Sequence, residues 1–228
     1  MTTDAPRAVC IISGGMDSAL AAHMARDEGY AIVAVHFNYG QRTERKEREC
    51  FRLLAEDLGA VERYEIDLPF FGAIGASALT DPAIAVLQDG IEEGVPVTYV
   101  PFRNGIFLSI ASAIAEKHGA EAIYIGVVEE DSSGYPDCRE TYIDAMERAI
   151  GLGTREETRL SIRTPLIHMT KAQIVQKSLE IGVDLSHTWS CYQNEEAACG
   201  VCDSCRLRLR GFARAGVKDP IPYAPSAQ

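Results

Sequence analysis

Short apolar runs alternate with helix-period stretches through the first third of the chain. Residues 7–12 (Arg-Ala-Val-Cys-Ile-Ile) form the kind of continuous apolar run that is buried in a parallel sheet. Residues 17–28 carry helical spacing and stop at Gly29, and residues 30–37 are again apolar and β-rich. Residues 43–58 are highly charged, keep Leu53, Leu54 and Leu58 to one side, and end at Gly59. Residues 61–66 then read as a third strand. This β-α-β-α-β order predicts an α/β fold: a doubly wound, mostly parallel sheet with helices on both faces.

Residues 68–97 are rich in Gly and Ala with weak periodicity, which predicts an insertion or lid-like excursion. Regular spacing returns with Ile106, Phe107, Ile110, Ala113 and Ile114, a helix closed by Gly119. Residues 121–127 read as a strand, 139–150 as a helix and 160–163 as a last strand. Thr170 is the expected cap of a helix carrying Ile174 and Ile181. Residues 187–216 form a cysteine-rich loop followed by a basic helix. The whole of 1–228 is expected to be one domain that includes this subregion.

Composition narrows the class. Hydrophobic residues make up 46% and charged residues 24% of the 228, ordinary globular usage that excludes disorder and coiled coil as the main state. The longest apolar stretch, near 105–115, is too short to span a bilayer, and the first residues lack an apolar signal core. No membrane partner and a cytoplasmic location are therefore expected. Lys+Arg 22 against Asp+Glu 33 gives a net charge of −11, which repels a phosphate backbone and argues against nucleic acid as a direct partner.

Seven cysteines in a chain without a signal sequence are not expected to form disulfides. Cys10 and Cys50 fall in core positions. Cys191, Cys199, Cys202 and Cys205 are spaced C-x7-C-x2-C-x2-C, so their thiolates can wrap one ion and close its shell. Such a site is structural, because no position is left open for water. The spacing admits zinc or an iron–sulfur cluster and does not settle the metal by itself; closure by four thiolates, together with the resemblance given below, favours Zn2+. His187, four residues before Cys191, could substitute as a donor, but a surface or hydrogen-bonded histidine is the expected reading.

The candidate chemistry begins at Ser13-Gly14-Gly15-Met16-Asp17-Ser18, between the first strand and its helix. Two glycines let the backbone approach a ligand closely, and the helix start offers free N–H groups and a positive dipole end. Together these make an anion cradle. It is neither a Walker A loop nor a Gly-x-Gly-x-x-Gly fingerprint. In a doubly wound sheet the ligand lies beyond the carboxyl ends of the strands, where residues 37–42, 100–104 and 128–139 are expected. Their acids suit a guanine-like base edge, their aromatics suit stacking, and their arginines suit a carboxylate or phosphate. Lys171 is a candidate phosphate contact. No nucleophilic triad or catalytic carboxylate pair stands out, so positioning and charge stabilisation are the expected catalytic means.

The hexapeptide resembles the PP-loop of the ATP pyrophosphatases. In that resemblance Ser13, Gly14, Gly15 and Ser18 hold pyrophosphate and Asp17 organises Mg2+. Over nearly the whole chain the sequence resembles the QueC family, through the hexapeptide, Tyr39-Gly-Gln-Arg42, Val100-Pro-Phe-Arg-Asn104, Ser133-Gly-Tyr-Pro-Asp-Cys-Arg139, Thr164-Pro-Leu166, Lys171-Ala172 and Ser190-Cys-Tyr192 with Cys-Gly-x-Cys-x-x-Cys. The resemblance implies an ATP-dependent ligase. The carboxylate of 7-carboxy-7-deazaguanine is adenylated, ammonia displaces AMP, and a second adenylation of the amide leaves the nitrile, 7-cyano-7-deazaguanine.

The residues implied as catalytic are Ser13, Asp17, Ser18 and Lys171. The ATP set is Ile12, Ser13, Gly14, Gly15, Met16, Asp17, Ser18, Ala19, Leu20 and Arg103. The substrate set is Tyr39, Gln41, Arg42, Phe102, Arg103, Asn104, Glu129, Tyr135, Asp137 and Arg139. A homodimer is also implied. Two departures stand out: Phe102 where many members have Gly, and Val-Glu-Glu-Asp-Ser at 128–132, with Glu130, in place of Cys-Glu-Thr-Asp-Phe. They keep open an alternative, an enzyme that stops at the amide or couples the activated carboxylate to another amine such as a protein terminus.

Overall fold

The computed structural model describes residues 5–87, 94–129 and 134–225. Five strands, β1 (Arg7–Ile11), β2 (Ala31–Asn38), β3 (Glu62–Asp67), β4 (Ala122–Ile125) and β5 (Ser161–Arg163), form one sheet in the order β3-β2-β1-β4-β5. All neighbours pair in parallel; Val9, for example, stands between Val33 and Ile123. The pleat sorts side chains by alternation. Ala8, Cys10 and Ile12 join one apolar cluster, while Val9 and Ile11 join the other. Both faces of the inner strands are therefore buried, which is why these strands read as unbroken apolar runs.

Helices α1 (Met16–Asp27), α2 (Glu44–Asp57), α6 (Lys171–Glu180) and α7 (Asp203–Ala215) cover the Ala8 face, through Leu20, Leu54, Ile174 and Phe212. The short α3 (Phe70–Ile74), α4 (Arg103–His118) and α5 (Glu140–Gly153) cover the other, through Phe71, Phe107, Leu108 and Ile143. This is the expected doubly wound α/β arrangement. A C-terminal segment follows α7, and Ala198 bridges to Tyr223. Thr170 caps α6 with a capping box to Gln173, as its position before the helix predicts. Among the described residues no helix is long and apolar enough to cross a membrane.

Two local expectations change. The 68–97 excursion is partly built into the fold rather than laid over it: Leu68, Phe71, Leu79 and Val86 are buried. Helix α4 begins at Arg103, not after the 100–104 loop. Its first turn is satisfied from a distance, because the Asp137 carboxylate accepts the Asn104 N–H at 2.9 Å. Phe102, just before α4, takes a left-handed conformation (φ 54°, ψ 25°), the position where Gly is unstrained. Glu130, Ser132 and Ser133 lie outside the described residues.

The sheet order reverses direction between β1 and β4, and the crevice at their carboxyl ends is where such folds bind ligands. Two glycines let the chain close up there. Gly14 has φ +88°, and a Cβ on it would stand 2.7 Å from the Glu47 carbonyl oxygen. A Cβ on Gly126, just past β4, would stand 2.6 Å from the Ser18 nitrogen.

Candidate active site and metal centre

A cavity of about 240 Å³ opens at this crevice. One wall is the 13–18 loop, which is largely self-organised. Ser18 Oγ accepts from the Ser13 N–H at 3.1 Å, lies 3.1 Å from Ser13 Oγ, and donates to the Gly15 carbonyl at 3.0 Å. Ser13 Oγ accepts from the Gly15 N–H at 3.3 Å. Gly15 is the N-cap of α1, and no side chain caps that end. The first-turn N–H groups are thus available to an anion, and the dipole favours one. Lys171 Nζ stands 2.5 Å from Asp17 Oδ2. Asp17 Oδ1 is buried with no hydrogen-bond partner, an orphaned carboxylate oxygen that fits a hard cation.

The opposite wall gathers residues from four segments. Arg103, on the first turn of α4, donates to the Tyr39 hydroxyl at 3.0 Å. Its guanidinium lies 5.5, 5.8 and 5.9 Å from the rings of Tyr39, Phe107 and Tyr135. Among the described residues no carboxylate forms an ion pair with it, so a permanently charged, planar donor fork faces the cavity from an aromatic cage. Burial pushes the Tyr39 phenol up to about 12, against the pull of Arg103, so it remains neutral. The Cys138 thiol is pushed up to about 12 by burial and then by Asp137, so at neutral pH it is a protonated thiol, not a nucleophile.

Of the sequence-predicted residues, Ile12, Ser13, Gly15, Met16, Asp17, Ser18, Tyr39, Gln41, Arg42, Arg103, Asn104, Tyr135 and Lys171 line this cavity. Gly14 supports the loop from behind, its carbonyl accepting from the Trp189 N–H at 2.8 Å. Ala19 and Leu20 lie in the core beneath α1. Phe102, Glu129, Asp137 and Arg139 are not on the lining. Phe102 is 52% exposed with its ring against Tyr142. Asp137 is buried at the α4 N-terminus; burial raises its pKa above the usual carboxylate value, against the Asn104 N–H bond. The Glu129 carboxylate accepts from the Glu140 N–H at the start of α5. Arg139 is exposed at the N-cap of the same helix. Arg42, besides reaching the rim, donates to the carbonyls of Ala78, Asp81 and Ile84 and so ties the 68–87 excursion to the cavity.

Sequence reasoning assigned no role to Glu47, Trp189, Ser190, Tyr192 or Arg208, which also line the cavity. Glu47 lay hidden in a charged run, and the others lay in or beside the cysteine-rich part. Arg208 is 1% exposed and donates to both Asp219 oxygens, to Thr188 and Ser190 hydroxyls and to the Leu185 carbonyl.

The sulfurs of Cys191, Cys199, Cys202 and Cys205 lie within 4.8 Å of one another, and all four residues are buried. Backbone N–H groups of Gln193, Asn194 and Cys199 point at Cys191 Sγ at 3.3–3.4 Å. Hydrogen bonds from the Cys202 and Cys205 side chains, followed by backbone N–H groups, hold the Cys191 thiol far below its ordinary range. Four buried sulfurs this close together fit the closed shell of one tetrahedral ion, at about 2.3 Å per bond. His187 is not part of it: its Nδ1 stands 2.6 Å from Asp57 Oδ2.

Comparison with known proteins adds a second line. Residues 7–216 match the family model described as "Queuosine biosynthesis protein QueC". A Sulfurovum sp. protein named 7-cyano-7-deazaguanine synthase is 71% identical over 217 residues, covering 95% of this chain and 98% of its own length. A Nitratiruptor sp. protein of the same name is 66% identical over the same shares. Among solved structures, a 4-thiouridine synthetase–RNA complex with bound ATP aligns with 78% of this chain and 41% of its own at 24% identity and a TM-score of 0.51, which speaks to the fold.

Proposed function

The chain belongs to the QueC family, and from that premise we propose that it is a 7-cyano-7-deazaguanine synthase, an ATP-dependent ligase that turns 7-carboxy-7-deazaguanine and ammonia into the nitrile. The observation that carries the reading is the meeting, in one cavity, of a self-organised anion loop and an arginine held in an aromatic cage. ATP would lie with its phosphates on the Ser13–Ser18 N–H groups and hydroxyls. Lys171 offsets charge as pyrophosphate leaves, and Asp17 would hold the Mg2+ that neutralises it. Tyr39 and Tyr135 offer faces for the planar base, and Arg103 offers a bidentate grip on its carboxylate. Gln41, Arg42 and Asn104 complete the base side, while Asp137 positions Asn104 from behind. Phe102, Glu129 and Arg139 act from around the cavity.

Among the described residues no activated nucleophilic triad lines the cavity, and adenylation does the activating. The carboxylate oxygen attacks the α-phosphorus, pyrophosphate leaves, ammonia displaces AMP, and the amide oxygen is adenylated in turn before AMP leaves with the nitrile. Zinc in the four-cysteine site, ammonia as the nitrogen donor, a free base rather than nucleic acid as substrate, a homodimeric assembly and a cytoplasmic location belong to the same proposal. The names of the relatives support the nitrile as end product over an amide or a protein conjugate. The test is to incubate the protein with the carboxylate base, Mg-ATP and ammonium, follow the base by mass spectrometry, and count AMP. Nitrile with two AMP per product is expected; amide with one AMP, or no turnover of the base, overturns the reading.

A further inference from the structure

Among the described residues, two carboxylates line the cavity, and they are held differently. Asp17 is paired with Lys171. Glu47, in the first turns of α2, is held by neutral donors only: Thr43 Oγ1 donates to its Oε1 at 2.8 Å and Gln41 Nε2 to its Oε2 at 3.0 Å. The Gln41 orientation follows from its other end, where its carbonyl accepts the Tyr39 N–H at 2.8 Å. Both Glu47 oxygens therefore act as acceptors. A cavity wall that needed only these two bonds would not require a desolvated charge.

We propose that Glu47 is the proton acceptor for the nitrogen donor, an inference that rests on the amide-forming reaction given above. An ammonium ion has no free electron pair and cannot attack. Glu47 first takes a proton from the ammonium and passes it to water, which frees the nitrogen lone pair. That pair forms the C–N bond, the acyl C–O bond breaks with its electrons leaving on AMP, and a second N–H proton follows the same route to Glu47 and water. Burial brings this carboxyl up to about 7, with the Thr43 and Gln41 hydrogen bonds and then Arg103 opposing the rise. That places it near the optimum for an acceptor at neutral pH. The charged and titratable groups around it are Arg103 from α4, Glu44 and Cys50 on its own helix, Tyr39 and Arg42 after β2, and across the cavity the Asp17–Lys171 pair and Arg208.

The experiment measures kcat/KM for total ammonium from acid to alkaline pH, alongside pyrophosphate exchange driven by the carboxylate base without amine. In Glu47→Gln, amination should fall on the order of 100-fold near pH 7, with exchange falling far less, and the loss should shrink as free ammonia replaces ammonium at high pH. Thr43→Val removes a donor to the charged form, so the pH at which amination rises should move upward. A loss of equal size at every pH, or equal in both half-reactions, makes Glu47 a support for Gln41 and overturns the proposal, as does a Gln variant that matches wild type. A wild-type protein that forms no amide overturns the functional reading itself, and this inference with it.

Discussion

The two walls of the cavity are built in opposite ways. The loop wall, where the nucleotide is proposed to lie, is local: within six residues Ser13, Gly15 and Ser18 satisfy one another, and α1 supplies the dipole. Its outside support comes from the four-cysteine part, through the Trp189–Gly14 bond, and from Lys171 on α6, through Asp17. The cage wall, where the base is proposed to lie, is assembled from β2, α4, the 134–139 segment and the excursion. It is held by long-range bonds: Asp137 to Asn104, Tyr135 to Thr98, and Arg42 to three carbonyls. A loop that organises itself survives the loss of distant contacts. A cage made of distant contacts does not.

The strongest way to break that comparison is to strip the zinc proposed for the four-cysteine site. Structural four-ligand zinc contributes about 10–16 kcal/mol to folding of small zinc peptides at neutral pH, so stripping it should release the 188–205 segment. Trp189, the sole tryptophan and 3% exposed, should shift its emission to the red, and ATP affinity should fall with it. Unchanged emission and unchanged ATP binding after complete chelation would show that the loop wall needs no such brace.

A smaller effect should follow Asp137→Ala. It removes the α4 cap and leaves the Asn104 N–H without its carboxylate, at about 1–2 kcal/mol. Thermal melting should fall by a few degrees, and KM for the base should rise more than KM for ATP. Equal changes in both constants would mean that the two walls are one unit.

The smallest effect concerns the seam beneath the four-cysteine part. The Asp57 hydrogen bond, ahead of an opposing burial effect, raises the His187 pKa, with Asp184 adding to the rise. A raised folded-state pKa stabilises fully below the unfolded value, near 6.5, and the gain is lost as pH climbs through the folded one. His187→Ala should therefore destabilise by roughly 0.5 kcal/mol at pH 5.5 and by less at pH 8.5, read from chemical denaturation at both. A larger penalty at the alkaline pH would remove ion pairing as the cause.

This contrast also explains what could be read in advance. The apolar alternation, the loop before α1, the Thr170 cap and the four cysteines are features of neighbouring residues, and each stands in the structure where its spacing predicts. Glu47 was not legible, because Glu44-Arg-Lys-Glu-Arg-Glu49 looks like a solvated helix face until Gly14 is packed behind it. The start of α4 was misplaced because its cap lies 33 residues downstream. Asp137 and Glu129, acids in a loop beyond the sheet, turned inward to cap helices instead of lining the cavity.

The sequence by itself determined the strand and helix order, the anion loop and the metal-ready cysteines, because hydrogen bonding and periodicity over a few residues decide them. Tertiary structure alone decided which acids face the cavity and which cap helices, that Arg103 stands in a cage of rings, that Trp189 ties the four-cysteine part to the 13–18 loop, and that Arg208 reaches the cavity wall. A side chain's charge is written in its identity. Its basicity and its partner depend on what the fold places within a few ångströms of it.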